Sequence, residues 1–156
     1  DDRCLFTTLT VEENLRAAVH RSRRAPRDVL DTFPALAPRW KVRAGALSGG
    51  EQQMLAMARA LMQDPKVLLV DELSMGLAPI VVEALFGAVR RIADDHGCAV
   101  VLVEQHVPLA LGVADDAAVL HRGEIVLQGP AAELRHDPSA LERAYFGAAA
   151  PGPARR

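Results

Sequence analysis

The sequence predicts an α/β fold whose first part is mostly helical, and three observations carry that reading. Residues 67–70 and 99–103 are short, continuous, β-rich apolar runs, the pattern of parallel strands buried on both faces. Between them residues 80–92 carry apolar side chains at helical spacing, and Pro79 is placed to start that helix, which makes a strand–helix–strand crossover. Residues 5–63 hold capping and helical signals instead. The expected organisation is a helical subdomain over 1–63, the C-terminal half of an α/β core over 64–147 and a disordered tail over 148–156.

Taken in order, Thr10 followed by Glu13 is a capping-box pattern, because each side chain can satisfy the other's exposed backbone N–H. A helix should therefore begin at Val11 and run towards Val19. The stretch HRSRRAPR, residues 20–27, ends it as a solvated loop or as a contact for anionic headgroups or an acidic partner. Pro26 suits the first position of a short helix through Val29 and Phe33, which Pro34 closes. Ser48 and Glu51 repeat the capping pattern ahead of a helix through Met54, Met57 and Leu61. Beyond the crossover, residues 117–120 and 125–127 read as a hairpin joined through Arg122 and Gly123. Short helices over 130–135 and 138–146 follow.

Composition narrows the function classes. With 156 residues, half of them hydrophobic, the chain can bury one core. A formal charge of −2 provides no basic face for nucleic acid. No apolar run approaches the roughly 18 residues of a membrane span, and the opening Asp-Asp-Arg lacks the basic-then-apolar pattern of a signal peptide. Cys4 and Cys98 have no metal-ligand spacing and read as reduced thiols.

Two segments carry chemistry. The first is LSGGEQQ, residues 47–53. Capping explains Ser48 and Glu51, but Gly49 and Gly50 weaken a first helical turn unless something must approach the backbone closely. A phosphate suits that position, since bare N–H groups and the helix's partial positive charge both face it. The second is VLLVDELSMGLAP, residues 67–79, which sets Asp71 and Glu72 at the C-terminal end of a strand, where open parallel sheets bind ligands. Side chains of neighbouring strand residues point to opposite faces, so the two carboxylates should do different jobs.

Together these segments resemble the signature sequence and Walker B strand of ABC-type ATPases, which implies a P-loop NTPase fold of the ABC ATPase type, truncated at the N-terminus, with a helical subdomain. The phosphate loop G-x-x-x-x-G-K-[ST] needs a Lys after a Gly, whereas Lys41 follows Trp40 and Lys66 follows Pro65. The chain thus reads as the C-terminal two thirds of such an ATPase, and this segment alone is expected to be inactive. DELS followed by GLAP, with TVEENL at residues 10–15 and the closing GEIVLQG and YFG, is similar to the second ATPase of the branched-chain amino acid importers over residues 3–147.

The resemblance implies ATP and Mg²⁺ as cofactors, with Leu47, Ser48, Gly49, Gly50, Glu51 and Gln52 on nucleotide, Asp71 holding Mg²⁺ through water and Glu72 as the general base. SMGLAP, residues 74–79, takes the place of the loop that crosses to the partner subunit, with Ala78 where an acid is usual and Leu73 where Pro is usual. For the switch residue after the second strand, matching the following helix at Ala110, Ala114 and Asp115 places the position on Gln105, with His106 the alternative. Implied partners are a second ABC ATPase in a homo- or heterodimer, transmembrane permeases and, indirectly, an extracytoplasmic solute-binding protein, with the ATPase cytoplasmic on the inner face of the plasma membrane. Two other readings stay open: the same ATPase serving urea, short amides or another solute, and a non-catalytic interaction module.

Overall fold

In the computed structural model, residues 4–19 and 24–146 are described. The expected tail over 148–156 lies outside them, as do positions 20–23. Contacts group the chain into two compact units, Asp1–Gln105 and His106–Arg156. The subdomain boundary expected at residue 63 falls inside the first.

The first unit opens on α1, Val11–Ala18, capped as its sequence dictates: Thr10 Oγ1 accepts from the Glu13 N–H at 3.2 Å and the Glu13 carboxylate accepts from the Thr10 N–H at 2.8 Å. Val11, Leu15 and Ala18 form its buried stripe. Asn14 is buried among them and fully used, its amide donating to the carbonyls of Phe6, Leu9 and Thr10 while its oxygen accepts from the Phe6 N–H. A buried amide needs such partners, and here they pin the entering chain to α1. Backbone bonds from Ala44 to Leu9 and from Gly45 to Thr7 tie that same chain to the segment preceding α2, Gly49–Leu61, which packs against α1.

The segment between α1 and α2 departs from expectation. No α-helix runs from Pro26 to Pro34; a 3₁₀ turn occupies Asp28–Leu30, and Pro34 opens a second 3₁₀ helix, Pro34–Arg39, instead of closing one. So short a segment between prolines forms too few bonds to offset helix nucleation, whereas the fixed φ of Pro34 suits a first helical position. The described arginines of the basic stretch fold back onto the protein. Arg24 reaches His96 and Asp64, and the Arg27 guanidinium lies 5.1 Å from the centre of the Trp40 ring.

Strands β1, Val67–Asp71, and β2, Ala99–Val103, pair in parallel with Asp71 opposite Val103, joined through α3, Pro79–His96. Pro79 starts α3 as expected. The expectation that both strand faces are buried is corrected. Leu68 and Val70 are buried, but Val67, Leu69, Val101 and Val103 are 54, 76, 51 and 58% exposed. Within this chain the helical layer covers one face of the pair, and period-2 alternation turns every second apolar residue outward.

The second unit is built on α4, Val107–Val113, the antiparallel hairpin β3, Asp116–His121, with β4, Glu124–Pro130, and the short helices α5, Ala131–Arg135, and α6, Pro138–Phe146. Arg122 and Gly123 both have positive φ, 50° and 86°, the requirement of a two-residue turn matched to strand twist. Leu111, Ala131 and Leu134 are its buried centre, with Leu127 and Leu141 packed against them.

Candidate functional site

The LSGGEQQ segment begins α2. Ser48 is extended, with φ −62° and ψ 160°, and its Oγ accepts from the Glu51 N–H at 3.3 Å while Glu51 Oε2 accepts from the Ser48 N–H at 2.8 Å. Arg39 donates to the other Glu51 oxygen at 2.7 Å. The Arg39 bond holds the Glu51 carboxyl below its ordinary range, against partial burial and with help from the Ser48 backbone. Leu47 is buried beneath the turn, and the Gln52 amide donates to the Ala44 and Leu47 carbonyls.

Gly50 is buried for a reason the residue pattern did not reveal. A Cβ added there would lie 2.3 Å from Val81 Cγ1 on the first turn of α3. Val81 is β-branched and stiff, so the absence of a side chain at 50 is what lets α2 and α3 meet. Gly49 is exposed, and the Gly49 and Gly50 N–H groups have no acceptor among the described residues, as expected for the first positions of a helix.

A second group forms where β1 and β2 end. Asp71 is the last residue of β1, exposed on the same face as Leu69, and its carboxylate makes no hydrogen bond or ion pair among the described residues. Glu72 extends the ladder by one bond, its N–H donating to the Val103 carbonyl at 3.0 Å, and then leaves the sheet in the left-handed region at φ 48°. Because of that turn, the strand alternation expected to separate Asp71 from Glu72 stops at Asp71.

Gln105 Nε2 donates to Glu72 Oε1 at 2.8 Å, so the structure brings these two site residues together. His106, by contrast, stands at the N-cap of α4, where its carbonyl accepts from the Leu109 and Ala110 N–H groups and its side chain makes no capping bond. Between Gln105 and the strand lies a residue the sequence reading passed over. Glu104 accepts from the Ser74 N–H and the Ser74 hydroxyl, both at 2.8 Å, and from the Gln105 N–H at 3.1 Å. The available signal was an acid directly after a strand, in parallel register with the DELS turn.

No cluster of three or more His, Cys, Asp or Glu side chains able to hold a metal occurs among the described residues. One uncommitted hard carboxylate, that of Asp71, nonetheless fits Mg²⁺, which keeps several waters and takes one or two carboxylates beside phosphate oxygens. No helix of the described residues is long and apolar enough to cross a membrane.

The ABC transporter family matches residues 1–74, which include both LSGGEQQ and the Asp71–Glu72 pair. The high-affinity branched-chain amino acid transport ATP-binding protein BraG of Pseudomonas aeruginosa is 43% identical over 152 residues, covering 94% of this chain and 64% of BraG. The probable branched-chain amino acid transport ATP-binding protein LivF of Archaeoglobus fulgidus is 42% identical over 135 residues, 83% of this chain and 57% of LivF. The chain therefore spans less than two thirds of the length of either relative. Among solved structures, the ADP conformation of MJ1267, an ATP-binding cassette of an ABC transporter, superposes with a TM-score of 0.71 at 24% identity, covering 90% of this chain and 64% of that one. That likeness speaks for the fold.

Proposed function

We propose, from the premise that this chain belongs to the ABC transporter ATPase family, that the whole protein is the ATP-hydrolysing subunit of a branched-chain amino acid importer. The observation that carries the proposal is the 43% identity to BraG across 94% of the chain, joined to a site in which Gln105 donates to Glu72 where the two strands end. Glu72 is the general base: it takes the proton of the attacking water, and its exposed carboxylate is open on the side that Gln105 does not occupy. Gln105 carries no titrating proton, so it positions through its amide instead of acting as an acid. Asp71 would hold Mg²⁺. When bound, that ion neutralises developing phosphate charge, and the rest of catalysis is positioning.

Leu47 to Gln52 present the start of α2 to the nucleotide of a second ATPase, with the Gly49 and Gly50 N–H groups as donors. A phosphate loop is not among these 156 residues, since neither of the two lysines follows a Gly. Partners in this reading are another ABC ATPase, identical or related, two permease subunits and, through them, an extracytoplasmic binding protein. The working location is the cytoplasmic face of the plasma membrane. The decisive test is ATPase activity of the intact protein reconstituted with its permeases in liposomes. Binding protein loaded with leucine, isoleucine or valine should stimulate hydrolysis. Stimulation by urea or short amides alone would reassign the cargo.

A further inference from the structure

We propose that Glu104 is a positioning residue of the hydrolytic site, clamping the turn after β1 so that Glu72 and Gln105 meet; this rests on the reading of Glu72 as general base. The parallel pair ends in register at Asp71 and Val103. Beyond that point the segments leaving the two strands hydrogen-bond to each other in both directions. Gln105 Nε2 reaches back to Glu72 at 2.8 Å, while Glu104 receives the Ser74 N–H and hydroxyl at 2.8 Å each.

The clamp is needed because Glu72 adopts a conformation that a side-chain-bearing residue rarely keeps unaided. At φ 48° it is left-handed, and such residues persist where their surroundings over-determine them. On one side the Glu72 N–H is held by the Val103 carbonyl. On the other, two residues later, Ser74 is only 6% exposed and bound through both its backbone and its hydroxyl to Glu104. The same carboxylate takes the Gln105 N–H, so one side chain sets the start of the 74–79 loop and the backbone from which the Gln105 amide projects. With three donors on its two oxygens, Glu104 is committed to this geometry and is not a second base.

The test uses the intact protein and the variants Glu104→Ala, Ser74→Ala and their combination, with Glu72→Gln measured in parallel. Residue-level hydrogen exchange without nucleotide should show the Ser74 and Gln105 amides exchanging about tenfold faster or more in Glu104→Ala, with the β1 amides unchanged. Turnover should fall about 10-fold to 10²-fold in kcat, with KM for ATP unchanged, as misplacement of a reacting group predicts. Ser74→Ala keeps its N–H bond and should fall between wild type and Glu104→Ala, and the double variant should match Glu104→Ala because both act through one contact. Unchanged amide exchange would show that the clamp does not form. Freed amides with kcat intact would make Glu104 a local prop and overturn its positioning role. Turnover surviving in Glu72→Gln would remove the underlying reading of Glu72, and the proposal with it, through a separate variant.

Discussion

The Cβ position of Gly50 lies 2.3 Å from Val81 Cγ1, so the second glycine of the LSGG turn is the point at which α2 rests on α3. Gly50→Ala in the intact protein should cost about 1 to 3 kcal/mol of stability by overpacking. Val81→Ala in the same chain should recover most of it. Denaturant unfolding of the native chain and both variants checks this. If turnover returns together with stability, packing explains Gly50; if turnover stays low after stability is recovered, close approach of a phosphate is the stronger demand.

Asp71 and Glu72 are adjacent yet differently placed, one carboxylate without a partner among the described residues and the other held by Gln105. Glu72→Gln should reduce ATP turnover by about 10² to 10⁴ while nucleotide still binds, since the amide keeps the shape and loses the base. Asp71→Asn should weaken Mg²⁺-dependent nucleotide binding. Titration calorimetry beside steady-state hydrolysis separates the two, and equal loss of binding in both variants would show the roles misassigned.

Gln105 bonds to Glu72, whereas the His106 side chain makes no capping bond at the start of α4. Gln105→Ala should therefore slow hydrolysis more than His106→Ala, and the pH profile of kcat should lack a limb that disappears with His106. The reverse order in single-turnover rates would move the switch to His106.

His96 provides a pH dependence of folding. Arg24 has only donors, so His96 Nδ1 must accept its bond at 2.9 Å, which leaves the proton on Nε2 to be donated to Thr32 Oγ1 at 3.1 Å. Burial, and then the Arg24 charge, push the His96 pKa below its ordinary value of 6.5. Its stabilising contribution is therefore present above that value and is lost as pH falls through the depressed folded pKa, because the unfolded chain then binds the extra proton. Unfolding midpoints measured from pH 8 to pH 5 should decline more steeply for the native chain than for His96→Gln. Parallel curves would remove His96 as the source.

Much of the local architecture was legible in the residues. The Thr10–Glu13 and Ser48–Glu51 boxes, Pro79 at the start of α3 and the Arg122–Gly123 turn are set by bonds spanning a few positions, and such bonds need no tertiary partner to be read. The LSGGEQQ and Asp71–Glu72 motifs were legible for the same reason, being contiguous. Only the tertiary structure decided the rest. An apolar run such as 67–70 does not reveal how many layers cover it, and here one face of the strand pair is exposed. Pro34 could close one helix or open another, and the bonding around it chose the second. The Gly50–Val81 contact, the Glu104–Ser74 clamp and the meeting of Gln105 with Glu72 each join residues about thirty positions apart. The last two arise when α3 returns the chain beside β1 and parallel pairing sets their register, whereas the first is a contact between α2 and the first turn of α3.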